Sequence, residues 1–367
     1  MEKVKFIISD CHLSAGRFYE GQFNPHEDFH YDNEMCDLFD YFSTGQYGEG
    51  STGPVDVELI INGDFLDFLN VPYRGEFEDA ITENMALAKL EAIIAGHPKV
   101  MSALKRFASK ANKRITYLIG NHDADLFFPK VRERIIREWD PSGNYPSDKV
   151  QIIADRDRIR YEGGVEIHHG NQFEWANALN FDQPVIEGSL PEPILNIPWG
   201  SFYVLKIVNR LKWEREYLDK IRPVRIFMIL GFIFDPVFTF KYGFLTLYYF
   251  LKTRLTQGFK SVSKVLRHEM SFFLDLESYA RQTLDQDPEL KTIIFGHTHK
   301  PMDRTYPDGK QYINTGTWTK MINLDLQSFG QQPFRLTFAL IRIRDGQAQC
   351  ELRNWVGEYS PHRVFQG

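Results

Sequence analysis

The chain has very little cysteine. Three thiols, Cys11, Cys36 and Cys350, stand far apart among 367 residues and are odd in number. That excludes a disulfide framework and fits a reducing compartment. Apolar runs long enough to cross a membrane are also missing. The two runs in the middle of the chain, Ile226 to Phe234 and Tyr242 to Leu251, fall short of the roughly 18–20 residues that a spanning helix needs. No secretory signal is visible, since the first residues run straight into a strand and a candidate ligand pair. Together these absences set the expectation of a cytoplasmic protein. Charge is not extreme either, with a formal net of -6. With 43% hydrophobic residues there is enough apolar material for one large domain, or for a domain with a sizeable insertion.

What the chain does contain is a repeated ending. The apolar run Ile293-Ile294-Phe295 closes in Gly296-His297-Thr298-His299. A short apolar run of this kind reads as a buried strand. Past its end, alternate residues no longer face opposite sides, so two imidazoles one residue apart can converge on one divalent metal. Val4 to Ser9 is a strand that ends in Asp10-Cys11-His12. Val57 to Ile61 ends in Asn62-Gly63-Asp64-Phe65-Leu66-Asp67, where the glycine permits a sharp turn. Asp67 reads either as a carboxylate that orients a neighbouring histidine or as a helix cap. Ile115 to Ile119 ends in Gly120-Asn121-His122-Asp123, which offers an amide oxygen and a general acid. Val165 to Ile167 ends in His168-His169-Gly170-Asn171, and strand alternation turns His169 inward and His168 away. Cys11 reads as a small buried residue.

Other stretches place these motifs. Residues 31–43, 76–112 (broken at Gly96-His97-Pro98) and 125–139 have helical patterning. His26-Glu27-Asp28-Phe29-His30 matches the H-E-x-x-H zinc-protease pattern literally. That chemistry needs a helix, and Asn24-Pro25 with acidic and aromatic flanks reads as a loop near the mouth of the site instead. Residues 151–153, 158–160 and 165–167 read as a local antiparallel meander. Leu336 to Arg344 and Gln349 to Trp355 form a hairpin around Asp345-Gly346, and the tail from Ser360 is expected to fray. Residues 185–285 break the rhythm with a long helical, aromatic block. Between Leu205 and Met270 it carries a net charge of +8. Apolar runs flanked by Arg222, Arg225, Lys252, Arg254 and Lys260 fit a lid that touches a membrane surface or lipid chains, with protein dimerisation or plain core as alternatives.

The five endings D-x-H, G-D-x-x-D, G-N-H-D, H-G-N and G-H-T-H, in that order, resemble the calcineurin-like metallophosphoesterase superfamily. The resemblance implies an α/β fold, a four-layer αββα sandwich of two mixed sheets, with the helical hydrophobic insertion acting as a lid. The core would run over 1–184 and 286–367, with the lid at 185–285. It also implies two divalent metal ions, manganese first and iron or zinc as alternatives. Asp10, His12, Asp64 and His299 would hold one; Asp64, Asn121, His169 and His297 would hold the other. A hydroxide bridging the metals would attack phosphorus, with His122 as acid and Asp67 orienting it.

Phe68 stands where the protein-phosphatase version carries arginine. The insertion and the Pro198-Trp199-Gly200 entry look like the lid of the UDP-2,3-diacylglucosamine pyrophosphohydrolases, which release lipid X and UMP during lipid A synthesis. That branch carries arginine where this chain has His122. The implied substrate is lipid-linked or a nucleotide-diphosphate-lipid. The implied place is the inner face of the inner membrane, reached through the insertion. Arg222, Arg225, Lys252 and Arg254 are candidate substrate or lid residues. A nucleotide or nucleic-acid phosphodiesterase and a protein phosphatase are the alternatives. No nucleic acid is expected as a partner, and a homo-oligomer is possible.

Overall fold

A computed structural model describes residues 2–50, 53–188, 191–222, 224–257, 276–323, 335–357 and 362–364. The strands of the two large sheets are β1 (Lys3–Ile8), β2 (Asp56–Asn62), β3 (Lys113–Leu118), β4 (Val150–Ile153), β5 (Arg158–Tyr161), β6 (Val165–His168), β7 (Thr292–Phe295), β8 (Met302–Thr305), β9 (Gln311–Asn314), β10 (Leu336–Arg344), β11 (Gln347–Trp355) and β12 (His362–Val364). Seven of them form one sheet in the order β12-β11-β10-β1-β2-β3-β4, and five form a second in the order β8-β9-β7-β6-β5. Both sheets are mixed. β1 to β4 run parallel, and β1 also pairs antiparallel with β10. In the second sheet β6, β7 and β9 run parallel, with β5 and β8 antiparallel at its edges.

Alternation along each strand builds the layers. Ile7, Ile60, Val165, Ile167, Ile294, Ile313 and Ile341 point between the sheets and form one core. Phe6, Ile8, Leu59 and Ile61 point the other way, onto helices α1 (Asp32–Tyr41), α2 (Glu83–Gly96), α3 (Pro98–Ser109) and α4 (Pro129–Trp139). On the far face of the second sheet, Ile293, Phe295 and Tyr312 pack against Leu276, Ala280 and Leu284. The result is the expected sandwich of two mixed sheets between helices.

Several local expectations need correction. Val150–Ile153 does not start a local meander. It joins the first sheet parallel to β3, and only β5 and β6 pair antiparallel with each other. The alternating pattern of four residues carries no information about a partner so far away. Helix α2 starts at Glu83, where Thr82 caps it, not at residue 76. His97 does form the break, as the joint between α2 and α3. Within the tail expected to fray, His362–Val364 adds an edge strand to β11. Residues 358–361 and 365–367 lie outside the described residues, as does Lys260.

Between the β6 and β7 segments the chain is not purely helical. Val185–Ile186 pairs with Ile194–Leu195, and Ile221–Arg222 pairs with Ile322–Asn323. Helix α5 (Trp199–Tyr203), a π-helical stretch (Val204–Val208) and α6 (Asn209–Lys212) follow one another without a break. Then come α7 (Val224–Phe234) and α8 (Pro236–Gln257), separated at Asp235 as the sequence suggests. Helix α9 (Leu276–Gln286) leads back to β7.

The H-E-x-x-H stretch is a loop, as expected, and its role is to root α6. Buried His26 brings Nε2 to the Asn209 carbonyl at 2.9 Å, while Asn209 Nδ2 donates to the Leu69 carbonyl at 2.7 Å. Lys212 is fully buried between Asp28 (2.9 Å) and Asp219 (2.8 Å), and Lys220 reaches the second oxygen of Asp28 at 2.7 Å. Removing one partner of a buried pair leaves a charge without compensation. Asp28→Ala is therefore expected to lower stability by about 3 kcal/mol in denaturant unfolding. A loss well under 1 kcal/mol would show that the network does not hold the root of α6.

Candidate metal centre

All five motifs meet at the carboxyl ends of β1, β2, β3, β6 and β7. Their loops bond to one another beyond the sheets. Asp10 N donates to the Gly63 carbonyl (3.1 Å), His12 N to Asp64 (2.9 Å), Phe68 N to His122 (3.1 Å), Gly296 N to His169 (2.8 Å) and Trp318 N to Asp10 (3.2 Å). This lacing holds an unusual backbone. Asp10, His12, Asp64, His297 and His299 all have φ between 51° and 67°. For residues with a side chain this left-handed region costs on the order of 1–3 kcal/mol each, somewhat less for Asp and His than for others.

Glycines make the room. A Cβ on Gly63, whose φ is +78°, would lie 2.3 Å from His169 Nδ1, and one on Gly120 would lie 2.3 Å from Asp64 Oδ1.

Two groups of possible ligands result. Asp10, His12 and His299 bring one ligand atom each within 4.8 Å of one another, and so do Asp64, His169 and His297. In the first, His12 Nε2 faces His299 Nε2 at 3.1 Å, and His299 Nε2 lies 3.4 Å from Asp10 Oδ1. In the second, His169 Nε2 lies 3.1 Å from Asp64 Oδ2, with its Nδ1 held by the Asn62 carbonyl at 2.7 Å. Buried Asn121 Oδ1 has no hydrogen-bond partner among the described residues. Imidazole nitrogens that face each other and carboxylates, with an orphaned amide oxygen in one of the same motif loops, fit divalent cations. Cys11 is no ligand. Burial and the neighbouring Asp10 push its thiol well above the usual range.

A third group, His12, Asp67 and His122, has a different character. Asp67 binds both rings through their Nδ1 atoms, His12 at 3.0 Å and His122 at 3.1 Å, and accepts from Asn70 N (3.1 Å) and Nδ2 (2.9 Å). Asp67 therefore orients two histidines and is not a helix cap. Each Nε2 is left pointing away from Asp67. His12 directs its own at His299, and His122 stacks edge-on to His12 with ring centres 4.6 Å apart.

Electrostatics follow the same plan. Burial would raise the carboxyl pKa of Asp64, yet His169, His122 and His12 hold it well below the usual range. Burial raises and the histidines lower Asp67 likewise, with the lowering dominant. Burial would neutralise His122, but Asp67 and Asp64 push it up to about 9. Against the same penalty, Asp64 pushes His169 up to about 10.

Some residues here were not singled out from the sequence. Asp123 accepts from Gly120 N (2.5 Å), Phe65 N (3.1 Å) and Tyr117 OH (2.5 Å), so it ties two motif loops together. Glu174 Oε2 lies 2.6 Å from His297 Nε2. Its position five residues after His169, in the same H-G-N loop, was the only available signal. His168 faces away, bound to Glu166 (2.7 Å) and Gln172 (2.6 Å), as alternation predicts. Of the candidate lid residues, Lys252 is exposed beside the Tyr249 ring at 6.0 Å. The side chains of Arg222, Arg225 and Arg254 lie outside the described residues. What does reach the site from this part is α5, whose buried Ser201 Oγ donates to the Asn121 carbonyl at 3.4 Å.

The two-sheet sandwich and its clustered oxygen and nitrogen ligands are those of a metal-dependent phosphoester hydrolase. The family model for calcineurin-like phosphoesterases matches residues 6–301, and the chain belongs to that family. No curated protein matches the chain. Similar solved structures include a dimetal phosphatase from Danio rerio (11% identity, 99% of this chain and 99% of that chain, TM-score 0.38). Others are a Vps29 single mutant from Entamoeba histolytica (11%, 99% and 99%, TM-score 0.33) and a predicted phosphoesterase from Streptococcus pneumoniae (11%, 100% and 98%, TM-score 0.27).

The raised histidines give a pH dependence. A histidine whose pKa rises on folding adds stability below its unfolded value near 6.5 and loses it as pH climbs through the folded value. With metal stripped by a chelator, stability should therefore fall from about pH 6.5 to about pH 10, through the titration of His122 and His169. Thermal melts of chelator-treated protein across that range test it. Equal melting at both ends would mean that these rings do not titrate as the geometry requires.

Proposed function

We propose that the chain hydrolyses a phosphodiester or pyrophosphate bond with two divalent cations, manganese first and iron or zinc as alternatives. Asp10, His12, Asp64 and His299 would hold one cation, and Asp64, Asn121, His169 and His297 would hold the other. When bound, the two cations activate water for attack and neutralise charge on the phosphoryl oxygens. The chain's own part is to fix the ligands and to deliver a proton. His122 carries that proton on Nε2 to the leaving oxygen, and its other nitrogen is held by Asp67 at 3.1 Å. The single observation behind this reading is the sharing of Asp67 by His12 and His122, which ties a metal ligand and a proton donor to one carboxylate.

For the substrate, the reading is a lipid-linked diphosphate such as UDP-2,3-diacylglucosamine, cleaved to lipid X and UMP. Its support is the covering of the Asn121 loop by α5, which presents half-buried Trp199, Phe202 and Tyr203 to the aromatic flank of α8. Trp199 and Phe202 stack at 5.4 Å, Phe250 lies 6.3 Å from Trp199, and Tyr203 OH donates to Tyr242 OH at 2.6 Å. Residues 185–285 would serve as the lid over this wall, with Arg222, Arg225, Lys252 and Arg254 at its basic margin. The same segment would bring the protein to the inner face of the inner membrane.

The test compares UDP-2,3-diacylglucosamine with a small chromogenic phosphodiester, both with added Mn²⁺. UMP release from the lipid is expected. His122→Ala should slow turnover by about 10²–10⁴ while bound metal is unchanged. Loss of metal in that variant would make His122 a ligand. Turnover of the chromogenic diester alone would keep the chemistry and reject the lipid substrate, leaving nucleotide or nucleic-acid diesters or a phosphoprotein.

A further inference from the structure

We infer that the α7–α8 hairpin is a one-leaflet lipid anchor that enters the bilayer tip first. The inference deepens the proposed reading, and rests on it for why a hydrolase would need such a device. One side of the hairpin is covered: Phe227, Phe238, Tyr242, Leu245 and Tyr249 pack on Ile207, Leu211 and Leu218. The remainder is bare and apolar. At the turn, Phe234 and Val237 are each 80% exposed, with Phe240 at 67% and Phe244 at 69%. Ile229, Phe232 and Ile233 on α7 are exposed as well. A patch of this kind marks an interaction surface.

Hydrocarbon is the occupant that fits. On α8, Val237, Phe240, Phe244, Leu247 and Leu251 recur at three- and four-residue steps, a spacing that by itself would also suit a second helix. The flanking positions hold Lys241, Gly243, Tyr248 and Phe250, which offer a symmetric partner no opposite charge. The exposed residues of α7 extend the apolar surface around the turn, where a single protein face would cover only part of it.

Charge agrees. The carboxylate at the turn, Asp235, is paired with Arg215 at 2.7 Å, and Lys241 is paired with Glu214. The tip thus carries almost no net charge. The +8 of the surrounding sequence acts elsewhere. Lys212 and Lys220 are paired inside the protein, while Arg225, Lys252 and Arg254 sit at the open end of the hairpin. At 1.5 Å per helical residue those three positions lie roughly 15–27 Å from the turn. The hydrocarbon of one leaflet is about 15 Å deep, so an inserted tip brings Arg225 to headgroup level, with Lys252 and Arg254 about 10 Å further toward the water. Among the described residues no helix is long and apolar enough to cross a membrane, which agrees with entry and return through one leaflet.

The root of the hairpin adjoins the site. Helix α8 packs on α5, α5 packs on the Asn121 loop, and Ile221–Arg222 pairs with Ile322–Asn323 beyond the Trp318 loop. An anchor there holds the metal centre beside the lipid surface.

The test is flotation of the full chain with phosphatidylcholine vesicles at high salt. It is run for the wild type and for the double variant Phe234→Glu, Val237→Glu, beside chromogenic diester turnover and light scattering without lipid. The wild type should float. The variant should lose at least about tenfold in vesicle partition, with diester turnover unchanged. A wild type that stays with the soluble fraction overturns the inference. A wild-type dimer that the variant dissolves also overturns it, because a second copy would then cover the face. Equal loss of partition and turnover in the variant overturns it too, because the tip would then be core. Flotation with no diester turnover in the wild type would reject the hydrolase reading and still support the anchor.

Discussion

Five side chains at the centre of this protein sit on backbone that side chains normally avoid. Asp10, His12, Asp64, His297 and His299 are all left-handed. Each left-handed turn swings a side chain sideways off the end of a strand, which a continuing strand could not do. Such strain persists only where the surroundings over-determine it. Here they do, because the loops bond to one another across the gap between the sheets. The sandwich makes that possible by ending parallel strands of both sheets at one edge. Apolar cores on both sides of each sheet fix the strands, and the fixed strands impose the loop geometry.

A second economy is the use of carboxylates as hubs. Asp67 holds two imidazoles, Asp123 holds two loops and a tyrosine, and Asp10 accepts from the backbone of His297 at both oxygens (3.1 and 3.0 Å). Glu174 does for His297 what Asp67 does for His12. A carboxylate that holds one ring nitrogen fixes the tautomer and turns the other nitrogen toward a metal or a proton acceptor. The buried negative charge this requires is balanced by histidines with raised pKa, so protons and cations compete for the same place.

Much of this was legible in the sequence, because an apolar strand that ends in Asp, Asn or His, with glycine before the ligand in three of the five cases, is a local signal. The helices around the first sheet and the break at His97 were local as well. What was missed is non-local. Val150–Ile153 is too short to reveal that its partner is β3. Glu174 looks like any loop glutamate until the chain folds it onto His297. The H-E-x-x-H stretch was legible as a loop, but the bond from His26 to Asn209 spans 183 residues of chain and has no local signature. The +8 of the insertion already subtracts Glu214, Asp219 and Asp235, the partners of Lys241, Lys212 and Arg215; what counting could not show is that Asp28, far away in the sequence, binds Lys212 and Lys220.

If the two ligand groups hold two metals, Asp64 is the carboxylate they share. The measurement that bears on this most directly is metal content by elemental analysis after loading and desalting, for the wild type and Asp64→Ala. Two ions per chain in the wild type, with loss of both from the variant, is the predicted result. One ion or none in the wild type, or two retained in Asp64→Ala, would contradict it.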